Sequence, residues 1–274
     1  MTRKIDVMAI ANLMREAAKA EILPRFRRLG EGDIRAKLDA TDLVTEGDEA
    51  AERFLKARMD EVLPGALFIG EESVAKDPDL LYRIAEADLS VIVDPIDGTY
   101  NFASGIPLFA VMAAVVYRGE TVAGIIYDPM GDDWILAERG AGSWQVRPDG
   151  NRIRLKAPAR VALSEMFGAA STGFLPGGRR AEVLANMAKL RFLMSYRCAG
   201  HEYRTFASGH MHFLMYNKLM PWDHLAGALI SQEAGAHVAR YDGSAYLPHH
   251  VEGGLIVAAD REAWEELRRE VFTF

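Results

Sequence analysis

Apolar residues recur at Val7, Ile10, Met14, Ala17 and Ala18, with arginine and glutamate on the intervening positions. This spacing predicts a helix with one buried face and one solvated face, kinked or ended by Pro24. A second helix is predicted after Thr45, with Ala51, Phe54, Leu55, Met59 and Val62 sharing a face. Thr45 and Asp48 have the spacing of a capping box, with aspartate in place of the usual glutamate. The helical period then gives way to short apolar runs. Leu67-Phe68-Ile69-Gly70 and Val91-Ile92-Val93 read as buried strands, the latter stopping at Pro95. Strands follow over 109–117, 121–127 and 134–137, separated by Arg118-Gly119-Glu120 and Asp128-Pro129-Met130-Gly131. That is an antiparallel meander, with 143–146 and 152–155 as candidate extensions.

The second half alternates. Helices are predicted over 179–189 and 201–208 and strands over 191–196 and 211–216, which suggests a layered α/β unit. A helix from Pro221 ends in a glycine cap at Gly235. A strand over 254–258 and an amphipathic helix over 260–271 close the chain. The Pro148-Asp149-Gly150 turn is the expected boundary between an N-terminal half, 1–147, and a C-terminal half, 148–274.

Composition narrows the class. The 274 residues suffice for one large domain or two small ones. With 50% hydrophobic and 26% charged residues the chain reads as an ordinary globular protein. A net charge of -7 without a basic tract argues against a nucleic-acid partner. The single cysteine, Cys198, permits neither an internal disulfide nor a cysteine zinc site, and suits a reducing cytoplasm. Residues 1–29 contain no signal-peptide core, and no apolar run reaches membrane-spanning length, so no membrane partner is expected.

The candidate chemistry gathers at Asp94-Pro95-Ile96-Asp97-Gly98-Thr99. Two carboxylates just past a strand end suit a hard cation. Gly98 lets a ligand approach the backbone, and a helix starting near Thr99 would offer free amides to an anion. The same residues also form a common turn signature. Glu71-Glu72-Ser73 follows another strand, so Glu71, Asp94 and Asp97 could meet at one sheet edge; a solvated loop is the plainer reading. Asp48 and Asp223 each stand at a helix start, where capping alone would explain them. Gly200-His201-Glu202 lies at a strand-to-helix junction, and His201 and Glu202 also read as ordinary first-turn residues. No phosphate-binding Gly-x-x-x-x-Gly-Lys loop and no His-Glu-x-x-His motif is present.

In combination, Gly70-Glu71-Glu72-Ser73, Asp94-Pro95-Ile96-Asp97-Gly98-Thr99 and Trp222-Asp223 with Glu233-Ala234-Gly235 resemble the inositol monophosphatase family of lithium-sensitive, magnesium-dependent phosphatases. The resemblance covers most of the chain, including Asp42-Leu43-Val44-Thr45 and Asp48. It implies an α/β (α+β) fold, a five-layered α/β/α/β/α sandwich, and a homodimer. It implies two to three Mg²⁺ ions: one on Glu71, Asp94 and the carbonyl of Ile96, a second on Asp94, Asp97 and Asp223, and a weaker third near Glu71 and Glu72. Thr99 and Asp48 would orient the attacking water, the amides of Gly98 and Thr99 would grip the phosphate, and Lys37 would lie close to the metals. The expected partner is a small phosphorylated substrate touched by Asp97, Gly98, Thr99, Gly200, His201, Glu202 and Asp223. The implied activity is phosphate monoester hydrolysis, with inositol-1-phosphate as the default. Fructose-1,6-bisphosphate, histidinol phosphate and 3′-phosphoadenosine 5′-phosphate are the alternatives. A non-catalytic metal- or phosphate-binding protein is the reading from another class. The chain departs from the family at Tyr100, often threonine, and at Tyr216, where the inositol-selecting members carry glutamate. It also departs at Gly200-His201-Glu202, where they have Gly-Thr-Ala. Either Glu202 or His201 is a candidate for the missing hydroxyl contact.

Overall fold

A computed structural model describes residues 5–37, 39–175 and 177–273. The two N-terminal helices form as their apolar faces predict. Helix α1 spans Val7–Ala17 and continues as a π-helical turn, Ala18–Ile22, so it ends before Pro24. A small hairpin, β1 (Ile34–Ala36) and β2 (Leu43–Thr45), leads into α2 (Glu46–Val62). The capping box is present: the Thr45 side chain accepts from Gly47 N–H at 3.1 Å, and Asp48 accepts from Thr45 N–H at 2.8 Å.

The next elements are β3 (Leu67–Gly70), α3 (Glu71–Lys76), α4 (Leu80–Glu86), β4 (Leu89–Asp97) and α5 (Thr99–Ala103). The meander follows as β5 (Ala110–Tyr117), β6 (Glu120–Asp128), β7 (Asp133–Glu138), β8 (Ser143–Val146) and β9 (Arg152–Arg154). Strands β3 to β9 make one sheet in sequence order, antiparallel except for the parallel β3–β4 pair. The Pro148-Asp149-Gly150 turn therefore joins two strands of one sheet. The first sheet extends past 147/148 because β9 pairs with β8.

The remainder contributes β10 (Phe167–Ala170), α6 (Gly177–Met187), β11 (Phe192–Met194), α7 (Ala199–Ala207), β12 (Phe213–Tyr216), α8 (Pro221–Glu233), β13 (His237–Arg240), β14 (Leu255–Ala258) and α9 (Arg261–Glu270). Its five strands form a mixed sheet in the order β11-β10-β12-β14-β13.

Alternation of side chains across the strands produces the layers. Val91, Val93, Val111 and Ile125 face α1 and α2. Ile92, Met112, Ala114 and Ile126 face the other way and pack with Tyr203 and Phe206 of α7 and Leu225 and Leu229 of α8. Those helices cover Leu214, Leu255 and Val257 of the second sheet. Phe213, Ile256 and Ala258 on its far side pack against Val183 of α6 and Trp264 and Leu267 of α9. The result is the five-layered α/β/α/β/α sandwich expected from the resemblance.

Two local expectations change. The strand through Val91–Val93 does not stop at Pro95 but runs to Asp97, with a register shift between Asp94 and Asp97. A bulge is where a strand tolerates proline, since no ladder N–H is required there. Glu71-Glu72-Ser73 is not a solvated loop. It opens α3, because Glu52 accepts the Glu72 amide at 2.8 Å and the Ser73 hydroxyl at 2.6 Å.

Candidate metal centre and active site

The bulge in β4 builds the centre. Asp94 pairs with Met112 and Asp97 with Ala110, so three steps on β4 span two on β5. Met112 and Ala110 lie two apart and face the same side. The one extra residue thus turns Asp94 and Asp97 to the same face, towards α7 and α8, where an unbroken strand would oppose them.

Asp97 is fixed by the start of α7. Its carboxylate accepts the amides of Ala199 (3.1 Å) and Gly200 (2.5 Å) and the Cys198 thiol (3.0 Å). Gly200 is required by this approach, since a Cβ there would lie 2.8 Å from Ala110 Cβ and 2.9 Å from the Asp97 carboxylate. Asp223 is the third residue of α8, after Pro221, and the N-cap position is Met220 with no side-chain cap bond. The capping role that would have explained Asp223 is not the one it adopts. Its carboxylate instead completes a group in which oxygens of Asp94, Asp97 and Asp223 all lie within 4.8 Å of one another.

Three acids this close disfavour one another's charge. Burial pushes Asp94 upward, reinforced by the charges of Glu71, Asp97 and Asp223. Burial also raises Asp223, with Glu71 and Asp97 adding to it. For Asp97 burial again raises the value, against the Cys198 and α7 hydrogen bonds that favour its charge. No basic side chain forms a salt bridge with these three acids among the described residues, although the charge of Lys218 favours ionised Asp223. Oxygen donors gathered in this way, buried and without a salt bridge, fit a hard divalent cation.

The other expected residues border the same cavity of about 220 Å³, which includes Glu71, Ile96, Gly98, Thr99 and Tyr100. Glu71 opens α3 beside β4, and Lys37 bridges it (2.7 Å) and Glu72 (2.6 Å). Burial lowers the Lys37 ammonium, but the Glu71 and Glu72 charges outweigh it and raise the net value. Gly98 has φ +88 and its Cβ would meet Cys198 Cβ and the Leu108 carbonyl at 3.1 Å, so glycine alone suits the turn into α5. Thr99 Oγ1 lies 2.9 Å from both Asp48 Oδ1 and the Ile96 carbonyl. It has one proton and so donates to one of them at a time. Burial pushes the Asp48 carboxyl up to about 7, with Glu71 adding to the effect. The Thr99–Asp48 pair can therefore accept a proton near neutral pH.

The substrate side divides the earlier candidates. Glu202 borders an adjoining cavity of about 250 Å³ that also touches Asp97 and Asp223. It is buried, accepts from Tyr216 Oη and Tyr196 N–H at 2.9 Å each, and burial raises it to about 7. Tyr216 thus supports a carboxylate supplied by α7, where the family's inositol-selecting members are expected to have their own. His201 does not border either cavity; its Nε2 is 3.1 Å from the Phe109 carbonyl and 3.8 Å from Asp128. The Gly200 amide is engaged by Asp97. Tyr100 borders the cavity, its ring beneath the Arg197 guanidinium at 3.8 Å. Sequence reasoning missed Glu52 and Asn101, which ties the carbonyls of Leu108 (2.9 Å) and Tyr196 (2.7 Å). Neither has a sequence signature, because each acts on backbone groups distant along the chain.

A pH prediction follows from these groups. Burial is the leading cause that raises Asp48, Glu72 and Glu202 to about 7 each, from ordinary values of 3.8, 4.5 and 4.5. A carboxyl raised on folding stabilises fully below its unfolded value, and that stability is lost as pH rises through the folded one. Histidines act in the opposite sense below about pH 6.5, since burial lowers His224 from 6.5 to about 3 and also lowers His201, and their contribution grows with pH up to the unfolded value. The metal-free protein is therefore expected to lose thermal stability between about pH 6.5 and about pH 8, and added divalent cation to restore part of it. Melting curves across that range with chelator and with cation check this; a metal-free Tm that rises throughout would contradict it.

Comparison with known proteins agrees with this geometry. The profile described as the inositol monophosphatase family matches residues 4–272. An inositol-1-monophosphatase of Mesorhizobium japonicum is 30% identical over 269 residues, covering 96% of each chain. The Nus factor SuhB of Vibrio cholerae is 31% identical over 228 residues, covering 80% of this chain and 79% of that one. The crystal structure of extragenic suppressor protein suhB from Bartonella henselae superposes with a TM-score of 0.80 at 28% identity, covering 97% of this chain and 99% of that one. The family and these neighbours indicate a phosphatase, and the buried acidic cluster could bind a metal ion. With a match running nearly end to end, this chain belongs to the inositol monophosphatase family.

Proposed function

We propose that the protein is a Mg²⁺-dependent hydrolase of phosphate monoesters of small polyols or sugars, with inositol-1-phosphate as the reference substrate. The observation that carries this reading is the buried Asp94–Asp97–Asp223 cluster beside the Thr99–Asp48 pair. Glu71, Asp94, Asp97, Asp223 and the Ile96 carbonyl would hold two to three ions. Mg²⁺ bound there supplies Lewis acidity, lowering the pKa of water and offsetting charge on the phosphate. Thr99 and Asp48 orient the attacking water, and Asp48 accepts its proton. The amides of Gly98 and Thr99, at the start of α5, hold phosphate oxygens. Glu202, oriented by Tyr216, accepts a hydroxyl hydrogen bond from the alcohol. In this reading residues up to 147 bring most of the ligands and the rest of the chain brings Asp223 and the alcohol side. Family membership also supports a cytoplasmic homodimer sensitive to lithium.

Phosphate release at saturating Mg²⁺ from inositol-1-phosphate, fructose-1,6-bisphosphate, histidinol phosphate and 3′-phosphoadenosine 5′-phosphate tests this. Strong release from a sugar or polyol ester is expected. Release confined to the nucleotide would overturn the substrate class. No release from any, with Mg²⁺ bound, would favour the non-catalytic reading that the name of the Vibrio relative suggests.

A further inference from the structure

Two cations at the mouth of the cavity have no part in the chemistry above. Arg197 and Lys218 border both the cavity with the acidic cluster and the adjoining one that reaches Glu202. Neither is in a salt bridge among the described residues, although the charge of Arg197 reaches Asp39 and that of Lys218 reaches Asp223. Arg197 Nη2 donates to the Thr41 carbonyl at 3.3 Å and its guanidinium lies over Tyr100. The Lys218 ammonium lies 5.6 Å from the Phe174 ring centre. No carboxylate forms an ion pair with either among the described residues.

Their placement is built. Arg197 has φ +51, a conformation disfavoured for a residue with a side chain. Its surroundings enforce it: the Tyr196 carbonyl is held by Asn101 and the Tyr196 amide by Glu202, and the amides of Ala199 and Gly200 are held by Asp97. Backbone strain kept in this way clusters at functional positions. On the other side Asn217 Nδ2 donates to the Phe174 carbonyl at 2.8 Å, tying the loop before Lys218 to the rim. Phe174 is 61% exposed and, with Lys218, also borders an outer cleft of about 550 Å³. An alcohol extending from the catalytic cavity thus meets two cations that no carboxylate holds in a salt bridge among the described residues.

In the proposed reading the phosphate to be cleaved already has its counterparts, in cations that the acidic cluster would hold and in the α5 amides. A neutral polyol needs no cation, and a cationic alcohol would be repelled. We infer that Arg197 and Lys218 form a second anion-binding position, so that the favoured esters carry a second phosphate or a carboxylate on the alcohol. This rests on the proposed phosphatase reading and deepens it.

Matched ester pairs test it. Fructose-1,6-bisphosphate is compared with fructose-1-phosphate, and 2-phosphoglycerate with glycerol-2-phosphate, at saturating Mg²⁺. In at least one pair the more anionic ester is expected to have a kcat/KM about tenfold higher, through KM, which corresponds to one charge-assisted contact. The pair that responds says whether phosphate or carboxylate is bound. Raising salt should erode the preference, since rim charges are screened. The preference should fall to within about threefold of unity in R197Q/K218Q, and part-way in K218Q alone, which leaves the Arg197–Tyr100 stack intact. Release from all four esters with no preference would overturn the inference and leave the phosphatase reading standing. So would a preference undiminished in K218Q and in a folded double variant. Absence of Mg²⁺-dependent release from these esters and from inositol-1-phosphate would overturn both.

Discussion

Asp94→Asn is expected to lower turnover at saturating Mg²⁺ by about a thousandfold or more, corresponding to roughly 4 kcal/mol of lost transition-state stabilisation, while the fold survives. Asp94 is 2% exposed and shares its space with Asp97 and Asp223, so a cation held by these three acids would meet its carboxylate. The amide that replaces it keeps the size and can still accept the Ile96 N–H, now bonded to Asp94 Oδ1 at 2.9 Å. What disappears is one negative charge. In the metal-free protein that charge is repelled by its neighbours, so the variant should melt no lower than the parent without metal and higher once the neighbours are ionised. With Mg²⁺ the order should reverse, because the parent gains binding energy that the variant lacks. Turnover and melting, each with and without Mg²⁺, separate a lost ligand from a damaged fold. Near-native turnover would remove Asp94 from the metal site.

The second large effect concerns stability and comes from a residue with no chemistry. Gly124 lies in β6, where α8 crosses the sheet. A Cβ there would lie 2.7 Å from the Ala226 carbonyl oxygen and 2.8 Å from Ala226 Cα. Both are backbone atoms of a helix packed on two sheets, so no side chain can swing aside. Gly124→Ala should therefore cost about 3 kcal/mol, as overpacking of a filled core does. That lowers Tm by about 6–12 °C for a chain of this size. Because α8 carries Asp223, forcing the helix off the sheet also moves one proposed metal ligand relative to the two on β4, and activity should fall with stability. Gly178→Ala, in α6 with nothing within 4 Å of its Cβ, is the control and should be neutral or slightly stabilising. Equal melting of the two variants would mean that α8 yields to the sheet more easily than the packing implies.

Much of this arrangement was legible from residues close in sequence. The capping box at Thr45–Asp48 and the meander depend on local patterns, and the structure has both. The five layers were reached through the family resemblance, since periodicity alone pointed only to alternation. What escaped depends on distant partners. Pro95 was read as the end of a strand because its missing N–H is visible in sequence, while the bulge that accommodates it depends on β5. The bulge is also what turns Asp94 and Asp97 to one face, so the central geometric fact of the site was the least visible. Strands β10 and β13 were not anticipated, and β13 has only four residues, too few for a period. His201 could not be separated from Glu202 by sequence. One turn of α7 sends the first towards Asp128 and the second into the cavity.

The central claim is that Asp94, Asp97 and Asp223 hold the divalent cation on which hydrolysis depends. Its most direct test is a Mg²⁺ titration of chelator-stripped protein, following phosphate release from inositol-1-phosphate or the most active ester while calorimetry records binding. The account predicts no release from the stripped protein, and recovery that rises with the same saturation curve as Mg²⁺ binding. Undiminished release after stripping would contradict it.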